Sequence, residues 1–179
     1  MLIAVMAALA AASRVAFVFT PGFKPIFGII MITGIAFGPE AGFLTGALSA
    51  FASNFFYSQG PWTPWQMMAF GFSGFLAGAV FCKRRKWCKP YILAPFGFLS
   101  VLLVIGPLLD SCTVFTALPR FTWKNVLFVY AQGIPLNLKQ ALSSAVTLLL
   151  VGTPLLNKLD RMKTKYGIMN FGKEKNETR

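Results

Sequence analysis

Residues 41–82 read AGFLTGALSAFASNFFYSQGPWTPWQMMAFGFSGFLAGAVFC and contain no charged side chain. This stretch is twice the length of the ~20 apolar residues that cross a bilayer as one helix. It is interrupted at residues 57–65 by YSQGPWTPW, whose glycine and two prolines break helical structure. The stretch therefore predicts two membrane-spanning helices, near 40–56 and 65–82, joined by a short loop.

The composition of the whole chain agrees with this interpretation. Of 179 residues, 56% are hydrophobic and 12% are charged, whereas roughly 25% are charged in an ordinary soluble domain. Polar loop sequences separate further apolar segments before and after the central stretch. We predict an all-α polytopic membrane protein, with a six-helix transmembrane domain over residues 1–157 and a basic cytoplasmic tail over 158–179. The predicted spans lie near 2–18, 25–37, 40–56, 65–82, 91–109 and 134–156.

The basic residues predict the orientation of this bundle. Most of the 17 basic residues fall in two blocks, one between Lys83 and Lys89 and one in the tail. Basic loops favour the cytoplasm, and six spans place both blocks on the same side. We therefore expect both termini inside and the loops 19–24, 57–64 and 110–133 outside. A basic tail also suits nucleic acid, but attraction to an anionic lipid surface is the simpler explanation, and we expect membrane lipid and no nucleic acid as a partner.

Conventional catalysis has little support in the sequence. The chain has no histidine, and its three cysteines are too scattered for a zinc site. It also lacks the glycine-rich phosphate loop of ATPases. We expect no enzyme activity, no catalytic residue, no metal and no cofactor.

Two polar regions in this apolar chain are candidates for substrate binding. Ionisable groups inside spans are costly, so Arg14 either reaches the outer headgroups, pairs with Asp110, or faces a ligand; Lys24 lies in the neighbouring outer loop. The loop around residues 54–66 forms either an interfacial aromatic belt or a binding site of aromatic rings and amides. Its candidate ligand contacts are Asn54, Gln59, Trp62, Trp65 and Gln66. The segment 110–125 forms either a lid over this site or a plain surface loop.

Small residues at four-residue spacing indicate close helix packing. Ala4, Ala8, Ala12 and Ala16 form one such stripe on the first helix, and glycines recur in the third and fourth. For the third and fourth helices the pattern favours packing inside the bundle. For the first helix, internal packing and docking of a partner subunit both remain open.

Several motifs together resemble the substrate-binding S components of energy-coupling factor (ECF) transporters, and especially the group associated with cobalamin uptake. These motifs are AASRVAF at 11–17, PGFKP at 21–25, GPEAGFLTG at 38–46, SNFF at 53–56 and GPWTPWQM at 60–67. The last block is the most specific. The resemblance covers nearly all of residues 4–82 and, more loosely, the sixth span.

The resemblance implies a six-helix vitamin-binding protein of the bacterial plasma membrane. Such a protein associates with a transmembrane T component and two cytoplasmic ATPases. It implies that Ala4, Ala8 and Ala12 contact the T component and that the ligand lies near the outer surface under the loops. Cobalamin is the favoured ligand on this basis, with a smaller vitamin or a modified-base precursor as alternatives. The alternative function is a self-contained small-solute carrier or channel.

Overall fold

Six helices run alternately in opposite directions through the computed structural model, which describes residues 1–19, 23–84, 87–117 and 122–166. The first four helices are α1 (Leu2–Ala16), α2 (Ile26–Phe37), α3 (Pro39–Tyr57) and α4 (Thr63–Phe81). Helix α5 covers residues 90–117 and helix α6 covers residues 123–166. The described residues contain no strand, so the predicted all-α class and the count of six helices are confirmed.

Helices α5 and α6 each contain one π-helical turn. Helix α5 consists of Pro90–Ser100, the π turn Val101–Ile105 and Gly106–Ala117. Helix α6 consists of Trp123–Thr147, the π turn Leu148–Gly152 and Thr153–Tyr166. Turns of this kind are rare and concentrate at functional sites.

Both helices are longer than the spans predicted at 91–109 and 134–156. The apolar part of α6, Trp123–Lys165, has 43 residues, which is roughly 65 Å at 1.5 Å per residue. The segment 110–125, predicted as a lid or a surface loop, is largely helical, and residues 118–121 lie outside the described part. The basic segment after residue 157 likewise begins as helix, while 167–179 lie outside the described residues.

Helix α2 is the centre of the bundle, because all twelve of its residues are buried. Next to it, α3 and α4 meet through their backbones. A Cβ atom added to Gly42 would lie 2.6 Å from the carbonyl oxygen of Gly74, and one added to Gly74 would strike the carbonyl of Gly42. Only residues without a side chain allow this approach, so the predicted role of these glycines in internal packing is confirmed.

A single glycine joins α2 to α3. Gly38 has φ +102°, a backbone conformation that L residues with a side chain rarely adopt. Pro39 follows at the first position of α3, where its fixed φ suits a helix start and its missing N–H costs nothing. The sequence GP at 38–39 therefore reverses the chain within two residues.

The exterior of the bundle is apolar. Within the described residues, Pro90–Thr116 and Trp123–Lys165 are each long and apolar enough to cross a membrane, while Leu2–Ala16 and Ile26–Phe37 are shorter apolar helices. Helices α3 and α4 have 19 residues each, but their many small and hydroxyl side chains make them less apolar. On α6 many large apolar side chains are exposed, among them Leu127, Phe128, Leu138, Leu142 and Leu150.

Candidate functional site

Arg14, in the last turn of α1, is buried, with 5% of its surface exposed. Its Nη1 donates hydrogen bonds to Ser53 Oγ at 2.6 Å and to Asn54 Oδ1 at 3.0 Å, both on α3. The guanidinium carbon lies 4.6 Å from the ring centroid of Tyr57 and 5.3 Å from that of Phe70. Aromatic faces and hydrogen bonds therefore compensate a charge that has left water.

Thr63, the first residue of α4, extends this network to the loop before the helix. Its Oγ1 accepts hydrogen bonds from Asn54 Nδ2 and from the backbone N–H of Gly60, both at 3.2 Å, and donates one to Gln59 Oε1 at 2.9 Å. Arg14 on α1 is thus connected through Asn54 on α3 to the start of α4. The proline-containing loop is held in one conformation against the ends of three helices.

Lys24 joins the same end of the bundle to α6. Its backbone N–H donates to Ser143 Oγ at 2.8 Å, and its Nζ lies 5.6 Å from the ring centroid of Tyr57. Burial lowers the pKa of the Lys24 ammonium, and the nearby Arg14 charge lowers it further. Both cations lie within cation–π distance of the same tyrosine ring.

The first turns of α4 carry the aromatic part of the site. The Trp65 ring lies 5.5 Å from the ring of Phe115 near the end of α5, with the planes tilted by 38°. Trp62 is half exposed and folds back over Gly60, where an added Cβ would lie 2.5 Å from its ring. Trp65 therefore faces a neighbouring helix, whereas Trp62 lies at the surface of the loop.

Helix α6 turns a polar face towards the bundle. Apart from Ala141, the buried residues of its first segment are polar: Asn137, Gln140, Ser143, Ser144 and Thr147. Their three- and four-residue spacing places them on one side of the helix. We call this set the polar wall. Its inward position, with leucines outward, is the reverse of a helix on the surface of a soluble protein.

Four buried polar atoms at this end have no hydrogen-bond partner within the described part of the chain. They are Arg14 Nε, Trp65 Nε1, Gln66 Oε1 and Gln140 Oε1. Gln140 is only 7% exposed. A buried polar atom without a partner costs about 1–3 kcal/mol, and here two donors and two acceptors are available to a ligand.

Asp110 lies outside the Arg14 network. Its Oδ2 accepts a hydrogen bond from Asn137 Nδ2 at 2.7 Å, and the neighbouring Ser111 hydroxyl is 2.8 Å from that of Tyr130. Among the described residues, Arg14 and Asp110 form no ion pair with each other. Of the three environments considered for Arg14, the Asp110 pair is wrong. Arg14 is buried and bonds to a hydroxyl and an amide group, so contact between Arg14 and lipid headgroups is not supported either.

Beyond Asp110 the ends of α5 and α6 enclose a cleft of about 440 Å³. Its lining is mainly aromatic and hydroxyl-bearing: Ser111, Val114, Phe115, Thr122, Trp123, Val126 and Tyr130. Since Phe115 also touches Trp65, the cleft borders the aromatic part of the site.

The alanine stripe of α1 lies on the outside of the bundle. Ala4, Ala8, Ala12 and Ala16 are exposed, while Ala7, Ala10 and Ala11 face the other helices. Internal packing is therefore carried by the second set of alanines. The predicted docking residues Ala4, Ala8 and Ala12 form a free surface without a bulky side chain.

Of the predicted ligand contacts, the structure brings Arg14, Asn54 and Gln59 into one hydrogen-bonded network. Lys24 borders that network, Trp65 and Gln66 follow it on α4, and Trp62 lies apart. Sequence reasoning missed several residues that complete the site: Ser53, Tyr57, Thr63, Phe70, Phe115 and Gln140. Thr63 was detectable from its position just before Pro64 at a helix start, and Gln140 from the polar periodicity of α6.

A helical bundle with an apolar exterior, and with unpartnered polar atoms buried at one end of its described part, is typical of a membrane protein with a polar site. The sequence model of one family, described as "ECF-type riboflavin transporter, S component", matches residues 1–161. The chain therefore belongs to this family of transporter S components, which are membrane proteins and not enzymes. Comparisons with curated proteins and with solved structures find no match.

This result corrects the expectation of cobalamin. The S-component assignment from the sequence motifs is confirmed, but the matching family is the riboflavin type. The motifs at 38–46 and 60–67 lie at helix starts and in the helix-packing face. In the first of these motifs, Gly38, Gly42 and Gly46 serve the architecture of the bundle.

Proposed function

We propose that this protein captures riboflavin on the outer side of the membrane and delivers it through a complex with a T component and two ATPases. The family description supports the flavin as ligand. The absence of a phosphate-binding loop in the sequence means that another chain must hydrolyse ATP.

The observation that carries the proposal is the set of four unpartnered buried atoms on α1, α4 and α6. The pyrimidine edge of a flavin presents one N–H donor between two carbonyl acceptors. Arg14 Nε and Trp65 Nε1 supply donors for the carbonyl oxygens, and Gln140 Oε1 or Gln66 Oε1 accepts from the N–H. Binding would then satisfy groups that are costly to leave unpaired, which is a source of specificity as well as affinity.

The aromatic residues suit the remainder of the flavin. Its three-ring system is flat and apolar at the dimethylbenzene edge, and such surfaces stack on indole and phenyl rings. Trp65 and Phe115 lie beside the polar atoms of α4, and the cleft between α5 and α6 offers hydroxyl groups for the ribityl chain.

Arg14 has two roles in this proposal, since its Nε contacts the ligand while its Nη1 holds α1 against α3. Riboflavin carries no acidic group for an arginine to neutralise, and two of the guanidinium bonds already hold Ser53 and Asn54. The residue thus fixes α1 against α3 and turns Nε towards the ligand. Of the predicted contacts in the loop before α4, Trp62 contributes at the surface only.

The exposed alanines of α1 are the proposed surface for the T component. Ala4, Ala8 and Ala12 leave room for a partner helix to approach closely. This surface is on the opposite side of α1 from the buried Arg14, so docking and ligand binding use different faces of the same helix.

Mass spectrometry of small molecules that co-purify with the detergent-extracted protein tests the ligand. Riboflavin should be retained in wild-type preparations and absent from mock preparations of the same membranes. Retention of cobalamin or another vitamin instead would overturn the flavin assignment. Vesicles that contain this protein alone should show no riboflavin uptake, and uptake there would favour a self-contained carrier.

A further inference from the structure

The end of the bundle opposite the Arg14 network carries exposed bases next to exposed aromatic rings. Lys83, Arg84 and Lys89 lie in the connection between α4 and α5. The guanidinium carbon of Arg84 is 5.9 Å from the Trp87 ring centroid, and Lys89 Nζ is 5.6 Å from that of Tyr91. Trp87 is 57% exposed and Tyr91 63%. Exposed aromatic rings beside bases are typical of the boundary between membrane and water.

The last segment of α6 brings further bases to the same end. Lys158 and Arg161 are exposed. Leu156, before them, and Leu159, between them, are buried. Lys163 Nζ lies 4.8 Å from the ring centroid of Phe37, the last residue of α2. The helical segment that carries these bases is thus packed against the bundle. We call the two groups together the basic end: Lys83, Arg84, Lys89, Lys158 and Arg161.

Apolar side chains continue directly from these bases along the outside of both helices. Val80 is exposed near the end of α4, four residues before Arg84, and Leu150 and Val151 are exposed about two turns before Lys158 on α6. A ligand that contacts both parts needs an anionic head and apolar tails. A basic surface that continues into an apolar one favours phospholipid over nucleic acid or a free anion, because neither of these would contact the apolar side chains.

We propose that the basic end binds the headgroups of anionic phospholipids, with the acyl chains lying along the exposed flanks of α4 and α6. Arginine holds a phosphodiester through two parallel N–H donors and lysine holds it as a point charge. In the described residues the acids at this end are Glu40 and Asp160, so the local charge is positive. The site is separate from the proposed flavin site and does not depend on it.

Native mass spectrometry of the full chain tests this proposal by counting retained lipids. The protein is extracted from nanodiscs that contain equal amounts of phosphatidylglycerol and phosphatidylcholine. Wild type should retain phosphatidylglycerol preferentially, and the variant K83Q/R84Q/K158Q/R161Q should lose most of that preference. The control K124Q/K139Q, at the other end of the bundle, should behave as wild type. Equal retention by the two variants would overturn the proposal.

Contact quenching provides a second readout that is independent of extraction. In a variant that keeps only Trp87, with phenylalanine at the other three tryptophans, brominated phosphatidylglycerol should quench more strongly than brominated phosphatidylcholine. The difference should shrink at about 0.5 M salt, where the screening length falls to roughly 4–5 Å. Inorganic phosphate at matched ionic strength should not relieve the quenching, and relief by phosphate would show a free-anion site instead. Circular dichroism verifies that the variant is folded.

Discussion

Helices α3 and α4 touch each other through their backbones, whereas α6 meets the bundle through polar side chains. At the α3–α4 contact the glycines leave no space for a side chain. In the first segment of α6 the buried residues other than Ala141 are amides and hydroxyls, and the Gln140 oxygen has no partner among the described residues. The first contact maximises packing, and the second retains hydrogen-bonding capacity that the described residues do not use. The difference separates a rigid scaffold from a binding surface.

The largest expected effect comes from a methyl group at the α3–α4 contact. Gly74→Ala places a Cβ against the carbonyl group of Gly42, which cannot move without shifting α3. Overpacking costs about 1–3 kcal/mol, and we expect the upper end because the obstacle is backbone. Thermal unfolding in detergent measures the change.

Gly152→Ala is the matched control for that substitution. An added Cβ there has its nearest neighbour at 3.7 Å, and alanine is favoured over glycine within helices by roughly 0.5–1 kcal/mol. If the unfolding temperatures of Gly74→Ala and Gly152→Ala fell equally, the close glycine contact would not be what makes α3 and α4 a rigid scaffold.

The small-residue packing between α3 and α4 also predicts that a partner helix packs on the exposed alanines of α1. Ala8→Trp should abolish co-purification with the T component, because an indole ring prevents close helix approach. Riboflavin affinity should stay within about twofold of wild type, since Ala8 is outside the buried network. Ala79→Trp, at an exposed alanine of α4, should leave assembly intact. Assembly by Ala8→Trp would show that α1 is not the docking helix.

Arg14 connects the scaffold to the binding site, so its loss should affect both properties. Arg14→Met removes the bonds to Ser53 and Asn54 and leaves their oxygens without this donor. We expect a loss of at least tenfold in riboflavin affinity, or about 1.4 kcal/mol, with a lower unfolding temperature. Lys139→Met, at an exposed base of α6, is the control. Unchanged affinity in Arg14→Met would limit this residue to a structural role.

The smallest effect should come from Trp62, which the sequence placed in the ligand site. Its ring lies over Gly60 and is half exposed. Trp62→Ala should weaken riboflavin binding by only a few-fold, because loop order changes while the buried polar atoms remain. A loss as large as that of Arg14→Met, measured in the same titration, would place Trp62 in direct contact with the ligand.

The fold was predictable because its signals are local. The uncharged stretch 41–82 and its proline-containing interruption define α3 and α4 within a few residues, and GP at 38–39 marks the turn before them. The ends of α5 and α6 were not predictable in the same way. Asp110 and the mixed segment 122–133 suggest a loop by polarity, but tertiary pairs such as Asp110–Asn137 and Ser111–Tyr130 satisfy those polar groups within helices.

The candidate site was predictable only in part. Arg14 and Asn54 stood out because polar side chains are rare in their spans, and the structure joins them directly. Gln140 did not stand out, since an amide near the predicted start of a span looks interfacial. Its significance depends on burial by other helices and on an unpartnered oxygen, which only the three-dimensional arrangement reveals.

Equilibrium titration of riboflavin fluorescence with purified protein, for wild type and Gln140→Leu, tests the central claim most directly. Wild type should quench the flavin saturably with one site per chain. Gln140→Leu should fold with an unfolding temperature at or above that of wild type, because an apolar residue replaces an unsatisfied amide, yet bind riboflavin at least about tenfold more weakly. Equal binding by the two proteins, or no saturable quenching by wild type, would contradict the account.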